Sequence, residues 1–369
     1  MEDKLYWYWF CSMLGINSRK QHQLMEIFAH PKELFRTSPN IIEEKLSEKA
    51  FQRFCKSRSE DQIKRQYEAL REEQIRFLLS VEAGYPKRLK KIYDYPYGIF
   101  QKGQAWLERE LVIAVVGSRH PSSYGLELTR LFAGKMAKIG IGIVSGLAKG
   151  IDGAAHRGAG CERGVTAGVL GCGIDRIYPW DNHQLFYEMY ENQTVFSEYP
   201  PGVRPDAWRF PERNRIISGL SDGILVMEAE KRSGSLITAD CGLEQNKEIF
   251  AVPGPVTSGN HAGCHGLIKQ GAKLVETVED ILSEFPDFTK SSENIQHFQK
   301  KSLAKPEKKV YDVVDLYPRH LNEIMNEAGL SFGETVSALF LLESKGYIKQ
   351  IHHNICLLYT SDAADDLTR

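Results

Sequence analysis

The strongest constraint on this chain is a succession of short apolar, β-branched runs, most bounded by glycine and separated by helix-length stretches. They are Leu111–Val116, Ile141–Ser145, Val165–Leu170, Thr194–Ser197, Ile224–Glu228, Glu248–Val252 and Lys273–Val275. A strand that is apolar along its whole length, rather than at alternate positions, has to be covered on both faces. The amphipathic segments between the runs can supply that cover, and strand–helix repetition of this kind builds a parallel sheet. The pattern predicts an α/β fold, a doubly wound, mostly parallel sheet, over residues 81–285.

The flanks read differently. Leu5 to about Leu79 carries apolar positions at helical spacing, broken at Leu14–Asn17, His30-Pro31 and Ser38-Pro39, which predicts a helical module over 1–80. Its aromatic start, Tyr6 to Phe10, reads as the buried face of a first helix rather than a base-stacking platform. Gly84, Tyr85-Pro86, Tyr95-Pro96 and Gly98 make a turn-rich approach to the sheet. Residues 286–309 are polar and lysine-rich and read as a linker. Beyond it, 310–360 reads as three short helices, Val310–Leu316, Leu321–Ala328 and Glu334–Ser344, followed by a strand at Gly346–Ile351, an order that predicts a winged helix. Residues 361–369 continue no element and read as a non-native tail.

Charge limits the function classes. Lys plus Arg is 47 against Asp plus Glu 48, so the chain is no uniform cation and any anion site must be local. The cysteines number 7, with no Cys-x-x-Cys, which argues against a disulfide framework. No apolar run is long enough to span a bilayer and the first residues lack the order of a signal peptide, so a cytoplasmic protein without membrane contact is expected.

Four clusters could hold anions, three of them at strand ends that open into helices, where anions bind in such folds. Gly117-Ser118-Arg119 follows the first run, and Ser145-Gly146-Leu-Ala-Lys149-Gly150 follows the second. Asp152 there reads as a helix cap, and His156 either as a packed residue or a functional one. Arg213-Asn214-Arg215 precedes the run Ile224–Glu228, and Lys231-Arg232-Ser233-Gly234-Ser235 follows it. Crowded cations imply several phosphates; the alternative is a solvated basic face paired with Glu212, Glu228 and Glu230. No Gly-x-x-x-x-Gly-Lys-Ser/Thr loop occurs, Cys172 has no base near it in sequence, and His261, Cys264 and His265 lack a fourth ligand, so neither a P-loop nor a metal is expected.

In order along the chain, Val116-Gly-Ser-Arg119, Ser145-Gly-Leu-Ala-Lys-Gly-Ile-Asp152, Leu170-Gly-Cys-Gly-Ile-Asp-Arg-Ile-Tyr-Pro179, Ser197-Glu-Tyr-Pro-Pro-Gly202, Phe210-Pro-Glu-Arg-Asn-Arg-Ile-Ile-Ser-Gly219, Arg232-Ser-Gly-Ser-Leu-Ile-Thr238 and Gly263-Cys-His265 resemble the DprA/Smf family of DNA-processing proteins over about Tyr85 to Ser283. The resemblance implies an extended Rossmann-like core, an N-terminal module similar to a sterile-alpha-motif or helix-hairpin-helix domain, and a C-terminal winged helix. It implies a homodimer that binds and protects single-stranded DNA and helps load the RecA recombinase in natural transformation, with no cofactor and no catalysis. By that likeness Arg119 and Lys149 face DNA phosphates, with Arg213 and Arg215 as secondary assignments to the same phosphates. Gly117, Ser118, Ser145, Gly146, Gly150, Asn214, Ser233, Gly234 and Ser235 complete the expected site, a cationic trough sized for an unpaired polynucleotide. The winged helix carries no arginine on Glu334–Ser344, which favours protein contact or autoregulation over duplex reading. Two rivals remain: a phosphoribohydrolase-like nucleotide enzyme, whose Pro-Gly-Gly-x-Gly-Thr loop is replaced here by Arg232-Ser-Gly-Ser235, and a ligand-responsive regulator that reads duplex DNA.

Overall fold

A computed structural model describes residues 2–291, 305–314, 319–344, 348–352 and 355–358. The chain opens with helices α1 (Asp3–Cys11), α2 (Ser18–Phe28), α3 (Pro31–Arg36), α4 (Pro39–Glu43), α5 (Glu48–Lys56) and α6 (Glu60–Glu72). Tyr6, Tyr8, Trp9 and Phe10 of α1 are buried, as their spacing predicts. Tyr6 and Trp9 meet Phe35 edge-on at 5.3 and 5.0 Å, and Tyr8 meets Phe77 at 5.5 Å. Burial pushes the Tyr8 hydroxyl up to about 12.

The sheet begins earlier than its apolar runs. Strands β1 (Arg76–Leu79) and β2 (Gly98–Gly103) pair antiparallel, and β2 also runs antiparallel to the later strand Thr194–Ser197. The sequence reading left β1 in the helical module and β2 in the turn-rich approach. β1 is a short edge strand, and β2 lies between it and Thr194–Ser197, which is far along the chain, so periodicity alone does not reveal them. Then follow β3 (Val112–Val116), α7 (Ser123–Lys138), β4 (Gly142–Ser145), α8 (Ile151–Cys161), β5 (Thr166–Leu170), α9 (His183–Asn192), β6 (Thr194–Ser197), α10 (Arg209–Gly219), β7 (Gly223–Val226), α11 (Gly234–Glu244), β8 (Glu248–Ala251), α12 (Ala262–Lys269), β9 (Lys273–Leu274), α13 (Val278–Leu282) and α14 (Pro286–Ser291). The sheet has nine strands in the order β1-β2-β6-β5-β4-β3-β7-β8-β9, parallel from β6 to β9.

The fold is a Rossmann-like α/β sheet covered on both faces. Strand β3 shows why its residues are apolar throughout: Val112, Ala114 and Val116 pack with Ile216, Leu220, Ala239 and Leu267 of α10, α11 and α12. Ile113 and Val115 point the other way, to Phe132, Met136, Ala155 and Ile281 of α7, α8 and α13. Strand order reverses at β3, which lies between β4 and β7. In open sheets of this kind the crevice outside the carboxyl ends at such a reversal is where ligands bind.

After the sheet, α14 carries Phe288 into the core, so ordered packing continues past 286. Helix α15 (Lys305–Tyr311) likewise starts within the stretch read as a linker; its Lys and Glu residues favour helix and Val310 anchors it in a small apolar cluster. Strand β10 (Arg319–His320), α16 (Leu321–Ala328), α17 (Phe332–Ser344), β11 (Ile348–His352) and β12 (Ile355–Leu358) complete this unit, with strands in the antiparallel order β10-β12-β11. The reading had a single terminal strand here; β10 and β12 are additional. Residues 361–369, read as a tail, lie outside the described residues. Among the described residues no helix is long and apolar enough to cross a membrane.

Candidate nucleic-acid interface

The crevice at the strand reversal is a cleft of about 420 Å³. Gly117, Ser118, Arg119, Arg213, Asn214, Ser233, Gly234 and Ser235 all line it, so residues from three separate loops and helices of the sequence reading converge. Ser145 and Gly146 lie outside its lining: the Ser145 hydroxyl is fully buried and donates to the Val115 carbonyl at 2.6 Å, joining the ends of β4 and β3. Gly150 holds the second loop against the first. Its φ is +78°, and a Cβ there would run into the Ser118 carbonyl oxygen.

Helices α7, α8 and α11 begin beside the cleft; the start of the first and the loop leading into the second are filled by carboxylates of the chain itself. The buried Glu228 carboxylate at the end of β7 accepts the Ser122 N–H at 2.9 Å and the Ser122 hydroxyl at 2.6 Å, at the start of α7. The Asp152 carboxylate accepts the N–H groups of Gly146 at 3.2 Å and Ala148 at 3.4 Å, filling the loop that the sequence marked for phosphate. Asp152 was legible as a cap; that it caps the loop before its helix was not. Burial raises its pKa, opposed by Arg213 and by those N–H groups. The third N-terminus, that of α11, carries Ser233 as its cap, with Ser233 Oγ 2.8 Å from Ser235 Oγ. Among the described residues no carboxylate is hydrogen-bonded to it. A Cβ on Gly234 would meet nothing within 4 Å.

The expected cations separate into distinct roles. Arg119 is exposed, its guanidinium 5.4 Å from the Phe210 ring centroid, with no carboxylate in ion-pair range among the described residues. Arg213 is buried, and its Nη1 donates to the carbonyls of Gly146, at 2.8 Å, and Val169. Burial lowers its pKa to about 10, with Asp152 opposing, so it stays charged at neutral pH as a strut between α10 and the ends of β4 and β5. A Cβ at Gly146 would lie 2.6 Å from Arg213 Nη2 and 2.7 Å from Asp152 Oδ2, which is why that position has no side chain. Lys149 is exposed on the flank, outside the cleft lining, and is ion-paired with Asp181.

Arg215 faces away from the cleft altogether. It is ion-paired with Glu198 at 2.5 Å and Asp94 at 3.8 Å, and donates to Ser18 Oγ at 2.8 Å. Burial works against its charge, yet Glu198 and Asp94 outweigh it and raise its pKa. The expectation of one trough holding all four cations is therefore corrected: residues two apart on α10 point to opposite sides of the helix, one into the sheet ends and one toward the helical module.

The sequence does not mark Phe210 as a site residue, and it places Arg232 in a candidate cluster without assigning it a contact. Phe210 lines the cleft between two guanidinium groups, Arg119 at 5.4 Å and Arg213 at 5.9 Å, with Tyr178 tilted against it at 5.5 Å. Its position three residues before Arg213, one helical turn, was the available signal. Arg232 is exposed at the mouth beside Ser233. His156 is a packed residue: its Nδ1 sits 2.7 Å from Thr166 Oγ1, which itself bonds the Ile143 carbonyl, and burial, with repulsion from Arg157 and Arg213, drives its pKa down to about 3. His265 Nε2 lies 3.0 Å from the Gly254 carbonyl and the Cys264 thiol points at the Val226 carbonyl, so both are engaged in packing.

Together the fold and the cleft define a doubly wound α/β protein whose crevice presents Arg119 and Arg232, the Phe210 ring and the N-terminus of α11. Residues 76–286 match the family described as DNA recombination-mediator protein A, and the chain belongs to that DprA/Smf family. It is 41% identical over 275 residues to protein Smf of Escherichia coli K12, a match covering 72% of this chain and 73% of the relative. Its fold is similar to that of DNA processing protein A from Streptococcus pneumoniae, with a TM-score of 0.66, 33% identity, and 77% of this chain and 99% of that chain covered. DNA processing protein A from Helicobacter pylori, whose structure is described for a single-stranded DNA binding mode, aligns with a TM-score of 0.53 and 28% identity over 58% of this chain and 96% of that one.

Proposed function

We propose that the cleft binds the sugar-phosphate backbone of single-stranded DNA, and that the protein acts as a recombination mediator rather than an enzyme. One observation carries this reading: Arg119 lies over Phe210 at the strand reversal, in the same cleft as the N-terminus of α11, to which no carboxylate is hydrogen-bonded among the described residues. A phosphate at the start of α11 would meet backbone N–H groups and the Arg119 and Arg232 guanidiniums, while an unpaired base could lie on the Phe210 ring. Such contacts are indifferent to sequence. The near-neutral charge of the whole chain fits a local site from which the strand can be released.

A binding role also fits the ionisable groups of the cleft, since Asp152 and Arg213 are committed to holding the loop and strand ends. Protection of incoming strands, transfer to a RecA recombinase in natural transformation, and self-association as a homodimer belong to the same reading and rest on family membership. The test is anisotropy of labelled oligothymidine against matched duplex and mononucleotides, with release of free base assayed in parallel. Single strands are expected to bind tightest with no base released; duplex preference or base release would overturn the reading.

A further inference from the structure

Outside the cleft lies an aromatic group that its binding role does not use. Trp180 is 64% exposed, and among the described residues the ring stacked on it is that of His183, at 5.2 Å and 13°. His183 is fixed by its Nδ1, 3.0 Å from the Trp180 carbonyl. Four residues on, along the same face of α9, Tyr187 is 53% exposed with its ring 6.4 Å from His183. An indole left in water beside a stacked imidazole loses the burial its area would otherwise contribute.

The group is rigidly tied to the cleft. Asn182 is buried and donates its Nδ2 to the carbonyls of Leu147 at 3.2 Å and Ala148 at 2.9 Å, locking this turn onto the loop after β4. Tyr178, two residues before Trp180, lies against Phe210 of the cleft. Asp181, between the indole and Asn182, holds Lys149, the exposed cation of the flank. Tyr178 against Phe210 and Trp180 against His183 are thus two aromatic pairs on one short stretch of chain with Lys149 alongside, the Cα atoms of Tyr178 and Trp180 being within about 7 Å of each other.

We infer that the Trp180–His183 pair is a second base-stacking subsite for the same single strand, engaged once that strand extends past the cleft beside Lys149. This rests on the cleft binding single-stranded DNA. Stacking has no base preference because every base offers a π-face, which suits a strand of any sequence.

The test is a length series of oligothymidines, from about four to about sixteen nucleotides, bound at low ionic strength by the full chain and by Trp180→Ala, Trp180→Phe and Arg119→Ala. For wild type, affinity should climb with length. Trp180→Ala should keep the affinity for the shortest strands and lose roughly five-fold or more for the longest. Trp180→Phe should restore the length dependence while removing part of the tryptophan fluorescence quenching on binding. Replacing the distal bases by abasic sites should make wild type resemble Trp180→Ala. Identical length profiles for wild type and Trp180→Ala would overturn the subsite while leaving the cleft intact, provided Arg119→Ala still weakens every length. Equal loss at all lengths would also overturn it, since the indole would then act through the cleft or the fold. No binding by wild type at any length would remove the cleft reading and this one with it.

Discussion

Arg119 and Lys149 are equivalent candidates in the sequence, each a few residues beyond a buried strand and a glycine. The folded chain distinguishes them, because Lys149 already has a carboxylate partner and Arg119 has an aromatic ring. Arg119→Ala should weaken oligothymidine binding roughly ten-fold and lower the salt slope by about one, read by anisotropy across a salt series. Asp181→Asn should do the opposite. The Lys149–Asp181 pair is half-exposed and so contributes little to stability, and freeing the lysine should raise affinity by roughly two- to five-fold; no gain would place Lys149 off the DNA path. His156 gives a pH signature of the fold itself. Its folded-state pKa, about 3, lies below the ordinary histidine value, so the unfolded chain binds the extra proton. Stability is therefore fully present above about pH 6.5 and falls as pH drops below that, by up to about 1.4 kcal/mol per pH unit for this one group. Urea unfolding at pH 6.5 and pH 5 should show that fall in wild type and a shallower one in His156→Asn.

Helix α11 is the element on which the phosphate assignment turns. Gly234 opens the helix, is exposed, and has no neighbour that a Cβ would touch. Alanine there should leave the melting temperature unchanged or slightly raised. It should nevertheless weaken oligothymidine binding if the DNA backbone approaches this N-terminus; unchanged affinity would move the phosphate elsewhere. At this scale, legibility followed burial. Strands β3 to β7 were visible because they are buried at every position and largely apolar without alternation. The antiparallel strands β1 and β2 at one margin of the sheet were not, since Arg76-Phe-Leu-Leu79 reads equally well as the end of α6. The anion sites were over-read for a related reason. Which N-terminus stays open depends on Glu228 reaching α7 from a strand 106 residues away in the chain, a pairing no local motif contains.

For the molecule as a whole, the same helix that lines the cleft fastens the N-terminal module to the sheet. Arg215 reaches Ser18, 197 residues earlier, together with Asp94 and Glu198, and the arginine-rich run at 209–215 gave no sign that one member would serve docking. Arg215 and Glu198 are largely buried, so deleting the guanidinium strands two carboxylates in a poorly solvated site. Arg215→Ala should cost on the order of 3–5 kcal/mol, measured by urea unfolding, and should expose the module to limited proteolysis. Arg119→Ala should show the reverse pattern, a loss of DNA affinity at wild-type stability, because its guanidinium rests on Phe210 in an open cleft. If the two variants divide in this way, the cations of α10 and of the β3 loop separate into one that assembles the molecule and one that meets the strand. If Arg215→Ala instead lowers DNA affinity while the fold keeps its full stability, then the network at Glu198 opens on binding and the module belongs to the DNA path.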